Sequence, residues 1–167
     1  MFTRSLLALS FALFTTYAFA LPEDREQPIE ITGDNSEFQE QQGYSIYTGN
    51  VHYRQGSMNI QSDWMRAEHP NQDIRYAEAE SRSDTPVRFQ QLTDANKPPL
   101  YATGKRMEYF VKDEKVVLHG NAHAWQDGHE LFGERIDYNL KTGELRATRL
   151  QSTGQVRTIL PPKKKTP

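Results

Sequence analysis

Cysteine is absent from all 167 residues, which excludes a disulfide scaffold, a thiolate metal site and a cysteine nucleophile. Hydrophobic residues make up only 36% of the chain, and many of them crowd the first 20 positions, so the remainder can build only a thin core. A basic excess is missing as well, with 20 Lys and Arg against 22 Asp and Glu. Such a chain lacks the basic face that displaces counterions from phosphates, and no nucleic-acid partner is expected. Beyond residue 20, no apolar run approaches the roughly 20 residues needed to span a bilayer as a helix. Aromatic residues are present, at 11%. They argue against disorder and for a narrow apolar interior lined by large side chains.

The first 20 residues read as an export leader. Met1–Ser5 carries one positive charge, Leu6–Tyr17 is apolar, and Ala18-Phe19-Ala20 offers small residues where a signal peptidase reads. Cleavage is expected after Ala20. An uncleaved anchor is the rival, but Thr15-Thr16 and the Ala-Phe-Ala end interrupt the apolar run. Removal takes Arg4 and no acid, leaving 19 basic residues against 22 acidic ones, a net charge of −3. The expected product is a soluble exported protein. At the other end, Lys163-Lys164-Lys165 follows Pro161-Pro162, and residues 161–167 read as a disordered basic tail.

Between these ends, turn signals recur about every fourteen residues, among them Gln55-Gly56, Lys112-Asp113-Glu114, Asp127-Gly128, Thr142-Gly143 and Ser152-Thr153-Gly154. The intervening segments are rich in Val, Ile, Tyr, Phe and Thr, the pattern of consecutive β-hairpins. A two-residue loop at Asp113-Glu114 pairs Val111 with Val116 and Tyr109 with Leu118, placing all four on one face. The same reading at Thr142-Gly143 pairs Leu140 with Leu145 and Tyr138 with Ala147. At Gln55-Gly56 it pairs Tyr53 with Met58 and Val51 with Ile60. A helical period through Met107, Phe110, Val111 and Glu114 is the alternative for that one segment.

The chain also repeats itself. Shifted by 71 positions without a gap, Glu37-Phe38 falls on Glu108-Tyr109, Gly49-Asn50 on Gly120-Asn121, Gln55 on Gln126, Ile60 on Leu131 and Asp63 on Glu134. Stacked modules bury a continuous core that neither closes alone, and they leave strand edges at both ends. The paired Gly-Asn steps are expected to bend strands as bulges.

Motifs of catalysis are scarce. His119 and His123 lie four apart, which on a strand separates them by about 13 Å. His129-Glu130 opens like a zinc-peptidase helix, but Gly133 occupies the place of the second ligand. No nucleophile elbow or phosphate-cradling loop occurs. No enzyme, metal or cofactor is expected.

The stretches Tyr47-Thr48-Gly49-Asn50-Val51 with Gln55-Gly56, Pro86-Val87-Arg88-Phe89, Met107-Glu108-Tyr109, Val117-Leu118-His119-Gly120-Asn121-Ala122 and Gly133-Glu134-Arg135-Ile136-Asp137-Tyr138 occur in an order and spacing that are specific together. On them the chain resembles the OstA-like family of Gram-negative lipopolysaccharide-transport proteins, typified by periplasmic LptA. The resemblance runs from Gln27-Pro28-Ile29 to Pro161-Pro162-Lys163. It implies an all-β fold, an open antiparallel β-jellyroll over residues 21–160. It also implies periplasmic carriage of lipopolysaccharide from inner to outer membrane, acyl chains inside the roll and sugars outside, with domains stacked end to end. The lipid-binding interior would include Ile29, Ile31, Val87, Phe89, Met107, Tyr109, Val111 and Leu118. Edge strands near 27–32 and 155–160, with Gln27, Ile29, Ile31, Val156, Thr158 and Leu160, would join copies head to tail. The first edge would face LptC and the last the periplasmic domain of LptD. LptC would keep an N-terminal anchor and LptD would continue into a long barrel, so neither fits a cleaved chain of this length. An exported carbohydrate- or lipid-binding module without bridge assembly is the alternative, with Trp64 and Trp125 the only tryptophans for an exterior sugar platform.

Overall fold

The structure, a computed structural model, describes residues 22–149 and 155–162. The leader, its cleavage site, the turn at 152–154 and the three lysines lie outside the described residues. Twelve strands follow a short 3-10 turn at Pro22–Glu26: β1 Glu30–Thr32, β2 Asn35–Gln39, β3 Tyr44–Gln55, β4 Met58–Glu68, β5 Tyr76–Glu80 and β6 Val87–Gln91, then β7 Leu100–Gly104, β8 Arg106–Phe110, β9 Lys115–Gln126, β10 His129–Asn139, β11 Leu145–Thr148 and β12 Arg157–Ile159. Every pairing is antiparallel.

Four long strands, β3, β4, β9 and β10, organise the roll because each belongs to two layers. One half of each joins β2, β5, β8 and β11 in a first layer; the other half joins β1, β6, β7 and β12 in a second. The bend between layers lies at bulges. Thr48 pairs with Trp64 and Val51 with Ser62, so Gly49 and Asn50 stand opposite Asp63 alone; likewise Gly120 and Asn121 stand opposite Glu134. Gly49 and Gly120 have φ of 74° and 75°, and Asn50 and Asn121 have φ of 45° and 50°. Two consecutive left-handed residues turn the strand sharply, and Gly and Asn are the residues that adopt this conformation at least cost.

The sequence repeat is a repeat of structure. Moved by 71, β2, β3 and β4 coincide in their bounds with β8, β9 and β10. Asn35↔Thr48 becomes Arg106↔His119, and Glu30↔Arg54 becomes Tyr101↔Trp125. The two modules join through β5 to β8 in the first layer and β6 to β7 in the second.

Hairpin registers differ from the sequence expectation by two residues at each of three turns. Tyr109 pairs with Val116, Tyr138 with Leu145 and Tyr53 with Ile60. The loop after β8 holds four residues and that after β10 five, the latter closed by Asn139 N–H to Glu144 O at 2.9 Å, and the loop after β3 is Gly56-Ser57. Side chains alternate with period two, so a two-residue slip leaves every residue on its expected face. Apolar patterning therefore constrained the faces and left the loop lengths open. Asp127-Gly128, with both φ positive, forms a two-residue turn that pairs Gln126 with His129, the counterpart of Gln55↔Met58.

Candidate lipid-binding interior and strand edges

Inner faces of the two layers meet in a core of apolar and aromatic side chains. Tyr53 meets Tyr109 edge to face at 6.2 Å, and Phe89 meets Tyr138 at 6.1 Å. Of the expected interior residues, Val87, Phe89, Met107, Tyr109 and Leu118 are buried in this core, while Ile29, Ile31 and Val111 are partly buried against it. Val111 lies just past the end of β8. Around Tyr53, Phe89, Tyr109 and Tyr138 the interior is filled by its own side chains, and its phenols stay neutral. Burial pushes the Tyr53 and Tyr109 hydroxyls above their ordinary range and Tyr138 up to about 12.

Opposite the bulges, the layers end in two rims that no backbone hydrogen bond joins among the described residues. Val111 and the turn before β9 belong to the first rim, and the Gly56-Ser57 turn to the second. The Pro22–Glu26 segment straps the rims together. Ser57 donates its N–H to Asp24 Oδ1 at 3.0 Å and its hydroxyl to Asp24 Oδ2; Gln55 Nε2 donates to the carbonyl of Arg25 at 3.1 Å; the Arg25 guanidinium pairs with Glu114 across the gap. The second module repeats half of this device. Gln126, the counterpart of Gln55, donates to Pro98 O at 2.9 Å and to Thr93 Oγ1 at 2.6 Å. The sequence reading missed the strap, although Gln126 lying 71 after Gln55 was its signal.

The roll ends in unpaired edges. At one end β1 and β2 pair only with β3, and at the other β11 and β12 pair only with β10. Both terminal strands are shorter than expected, three residues each. Ile31 pairs with Tyr53 and Thr158 with Leu131. Gln27 and Ile29 precede β1, and exposed Val156 and Leu160 flank β12. Phe38 on β2 is also exposed, at 64%. It is not among the residues expected from the sequence, although the repeat sets it on Tyr109.

Outward faces are polar and heavily paired. Arg106 bridges Glu78 and Glu108, His119 Nε2 lies 2.8 Å from Glu108, and Asp137 binds both Arg135 and Lys115. The Arg135 hydrogen bond holds the Asp137 carboxyl far below its usual range. Burial acts to raise Glu108, but the hydrogen bonds from His119 and Tyr76 and the Arg106 charge outweigh it, and its pKa falls. His123 pairs with Glu130, and no group of three metal-ligating side chains occurs among the described residues. Both tryptophans face outward against protein neighbours. Arg82 covers Trp64 at 4.8 Å, while Trp125 stacks on Tyr101 at 5.5 Å and on His123 at 4.6 Å. No helix among the described residues is long and apolar enough to cross a membrane.

A bulge-bent, two-layered sheet with apolar inner faces, polar outer faces and open ends defines the open β-jellyroll class. The chain belongs to the family described as LptA/(LptD N-terminal domain) LPS transport protein, which it matches over residues 30–144. It is 32% identical to the lipopolysaccharide export system protein LptH of Pseudomonas aeruginosa over 96% of this chain and 94% of that one. To LptA of Escherichia coli K12 it is 30% identical, over 84% of this chain and 75% of that one. The crystal structure of the P. aeruginosa LptH, titled the LptA homologous periplasmic component of the lipopolysaccharide transport device, matches with a TM-score of 0.77 at 27% identity, covering 84% of this chain and all of that one.

Proposed function

We propose that this chain carries lipopolysaccharide across the periplasm, its acyl chains held between the two layers and its sugars outside, as one unit of an end-to-end bridge between inner and outer membranes. The observation that carries this reading is a pair of apolar inner faces hinged along one side and unjoined by backbone along the other. Because the interior is packed, acyl chains enter by parting the rims, and partly buried Ile29, Ile31 and Val111 meet them first. Burying ten methylenes gains on the order of 8 kcal/mol, which offsets local separation of the layers. The deeper residues Val87, Phe89, Met107, Tyr109 and Leu118 line the path once it opens. An export leader ending at Ala20 delivers the chain to that compartment.

Bridge assembly is supported by the junction inside the chain, where module meets module by strand pairing in both layers. The terminal edges offer the same kind of strands to a further module. The β1–β2 end receives LptC or a preceding copy, and the β11–β12 end receives a following copy or the periplasmic domain of LptD. The engaged tryptophan faces disfavour the exported carbohydrate module. Binding of fluorescent lipopolysaccharide to the purified protein tests the reading. Val111→Glu and Ile31→Glu lower affinity at least tenfold with little change in melting temperature, whereas Gln61→Glu on the outer face does not. Equal affinity in all three variants overturns an interior site.

A further inference from the structure

The inner-face packing at the internal module junction fixes what each open end lacks. Strand pairing places β5 beside β8, but the facing contact is offset: the second layer of the first module lies over the first layer of the second, and Tyr53 on β3 packs against Tyr109 on β8. Tyr109 is thereby almost fully buried. Moved back by 71, its place is taken by Phe38 on β2, the same position of the first module, which among the described residues has only Tyr47 as a ring neighbour, at 6.0 Å, and stays 64% exposed. Moved forward by 71, the place of Tyr53 is taken by Ala124 on β9. One end thus presents an uncovered ring, and the other presents the floor on which such a ring would sit.

That floor is hollow. An open cavity of about 450 Å³ is lined by Leu100, Ala124, Leu131, Leu145, Thr158 and Leu160, with Lys97 and His129 among its remaining walls. Its origin lies in the repeat itself. Where the first module fills its inner face with Tyr53, Ile60 and the Phe89 that pairs with Ile60, the second has Ala124, Leu131 and the Thr158 that pairs with Leu131. Replacing tyrosine by alanine at the centre removes a ring, and no side chain among the described residues refills the space. An apolar void of about 150 Å³ already takes up a benzene-sized ring.

We propose that Phe38 of one copy seats in this cavity of the preceding copy, as the anchor of the end-to-end contact. The proposal rests on the assembly reading above and deepens it by naming the residue and its socket. Pairing of β11 with the next β2, and of β12 with the next β1, copies the β5·β8 and β6·β7 junction and brings Phe38 over Ala124. Terminal edges supply hydrogen bonds that any strand could accept. The ring and its socket supply register and partner choice, because a slip by one residue turns Phe38 outward. The contact joins two different surfaces, so it propagates rather than closing into a dimer.

Sedimentation velocity over a concentration series of the purified protein tests this. Phe38→Ala keeps the monomer's melting temperature, because the ring is exposed, and raises the self-association Kd at least tenfold. Leu131→Glu, which puts a charge in the socket, does the same; Leu160→Glu, at an exposed wall of the socket, serves if Leu131→Glu fails to fold. Mixing Phe38→Ala with the socket variant restores one intact contact per pair, giving 1:1 dimers and nothing longer. A photoreactive benzoylphenylalanine at position 38 cross-links to the peptide holding Ala124 or Leu131. Phe38→Ala assembling like the unmodified protein, a mixture that stays monomeric, or cross-links to lipid instead of that peptide overturns the proposal. Any of these with lipopolysaccharide binding intact leaves the transport reading standing, whereas loss of binding in the unmodified protein removes both.

Discussion

Replacing Gly49 by alanine should cost more than an ordinary glycine substitution, and the structure separates the contributions. At φ of 74° an L-residue pays about 1–2 kcal/mol for the left-handed conformation. A Cβ there would also lie 2.3 Å from Asp34 Oδ2. That carboxylate must swing away, and it then loses the hydrogen bonds that Asn50 Nδ2 donates at 3.0 and 3.3 Å, worth about 1 kcal/mol or somewhat more. The expected total is about 2–3 kcal/mol. Gly143 isolates the conformational part, with φ of 72° and nothing within 4 Å of its would-be Cβ. Gly143→Ala should cost about 1–2 kcal/mol. Gly33 has no positive φ and only ordinary contacts, so Gly33→Ala should change stability by about 0.5 kcal/mol or less. Urea unfolding of the three variants gives the ordering directly, and in thermal melts each kcal/mol corresponds to roughly 3–4 °C for a chain of this size. Gly49→Ala no worse than Gly143→Ala refutes the collision, and Gly49→Ala as benign as Gly33→Ala refutes the bulge as a strained hinge. Because the bulge shapes the roll, lipid binding should fall only in step with stability.

Acid should destabilise the protein in a defined window. Asp137 and Glu108 have depressed pKa values in the folded state, so their contribution is complete above the ordinary carboxylate pKa of about 4 and is lost as pH falls toward the folded values. Melting temperature should therefore drop between about pH 4 and pH 2, and Asp137→Asn should flatten that slope; an unchanged slope in the variant contradicts the assignment. Deleting residues 155–167 removes β12 and Leu160 while leaving β1 and β2 intact. The truncated chain should stay folded by circular dichroism, lose concentration-dependent self-association and still bind LptC, and filaments formed by it would refute the end-to-end contact.

The repeat was the most legible feature because it depends on residue identity at a fixed spacing. Gly49-Asn50 on Gly120-Asn121 and Asp63 on Glu134 mark the same bulge twice, and the structure keeps that spacing in every bound of β2 to β4 against β8 to β10. Faces were legible for a related reason, since alternation survives any even slip. Registers were not, because Val111 with Val116 and Tyr109 with Val116 satisfy the same pattern and differ only in loop length. Depth was hidden as well. Ile31 and Phe89 look alike in sequence, but one sits near an end and the other between layers. The strap over Pro22–Glu26 was illegible locally because its contacts, to Gln55, Ser57 and Glu114, are made by residues remote in sequence.

The central claim is that lipid travels between the two layers. Photoreactive side chains placed one at a time at Phe89, Tyr109 and Val111 inside, and at Arg66, Gln61 and Thr103 outside, report contact directly when irradiated in living cells. The account predicts lipopolysaccharide adducts at the interior positions and none at the exterior ones; adducts at exterior positions with none at Phe89, Tyr109 or Val111 would contradict it.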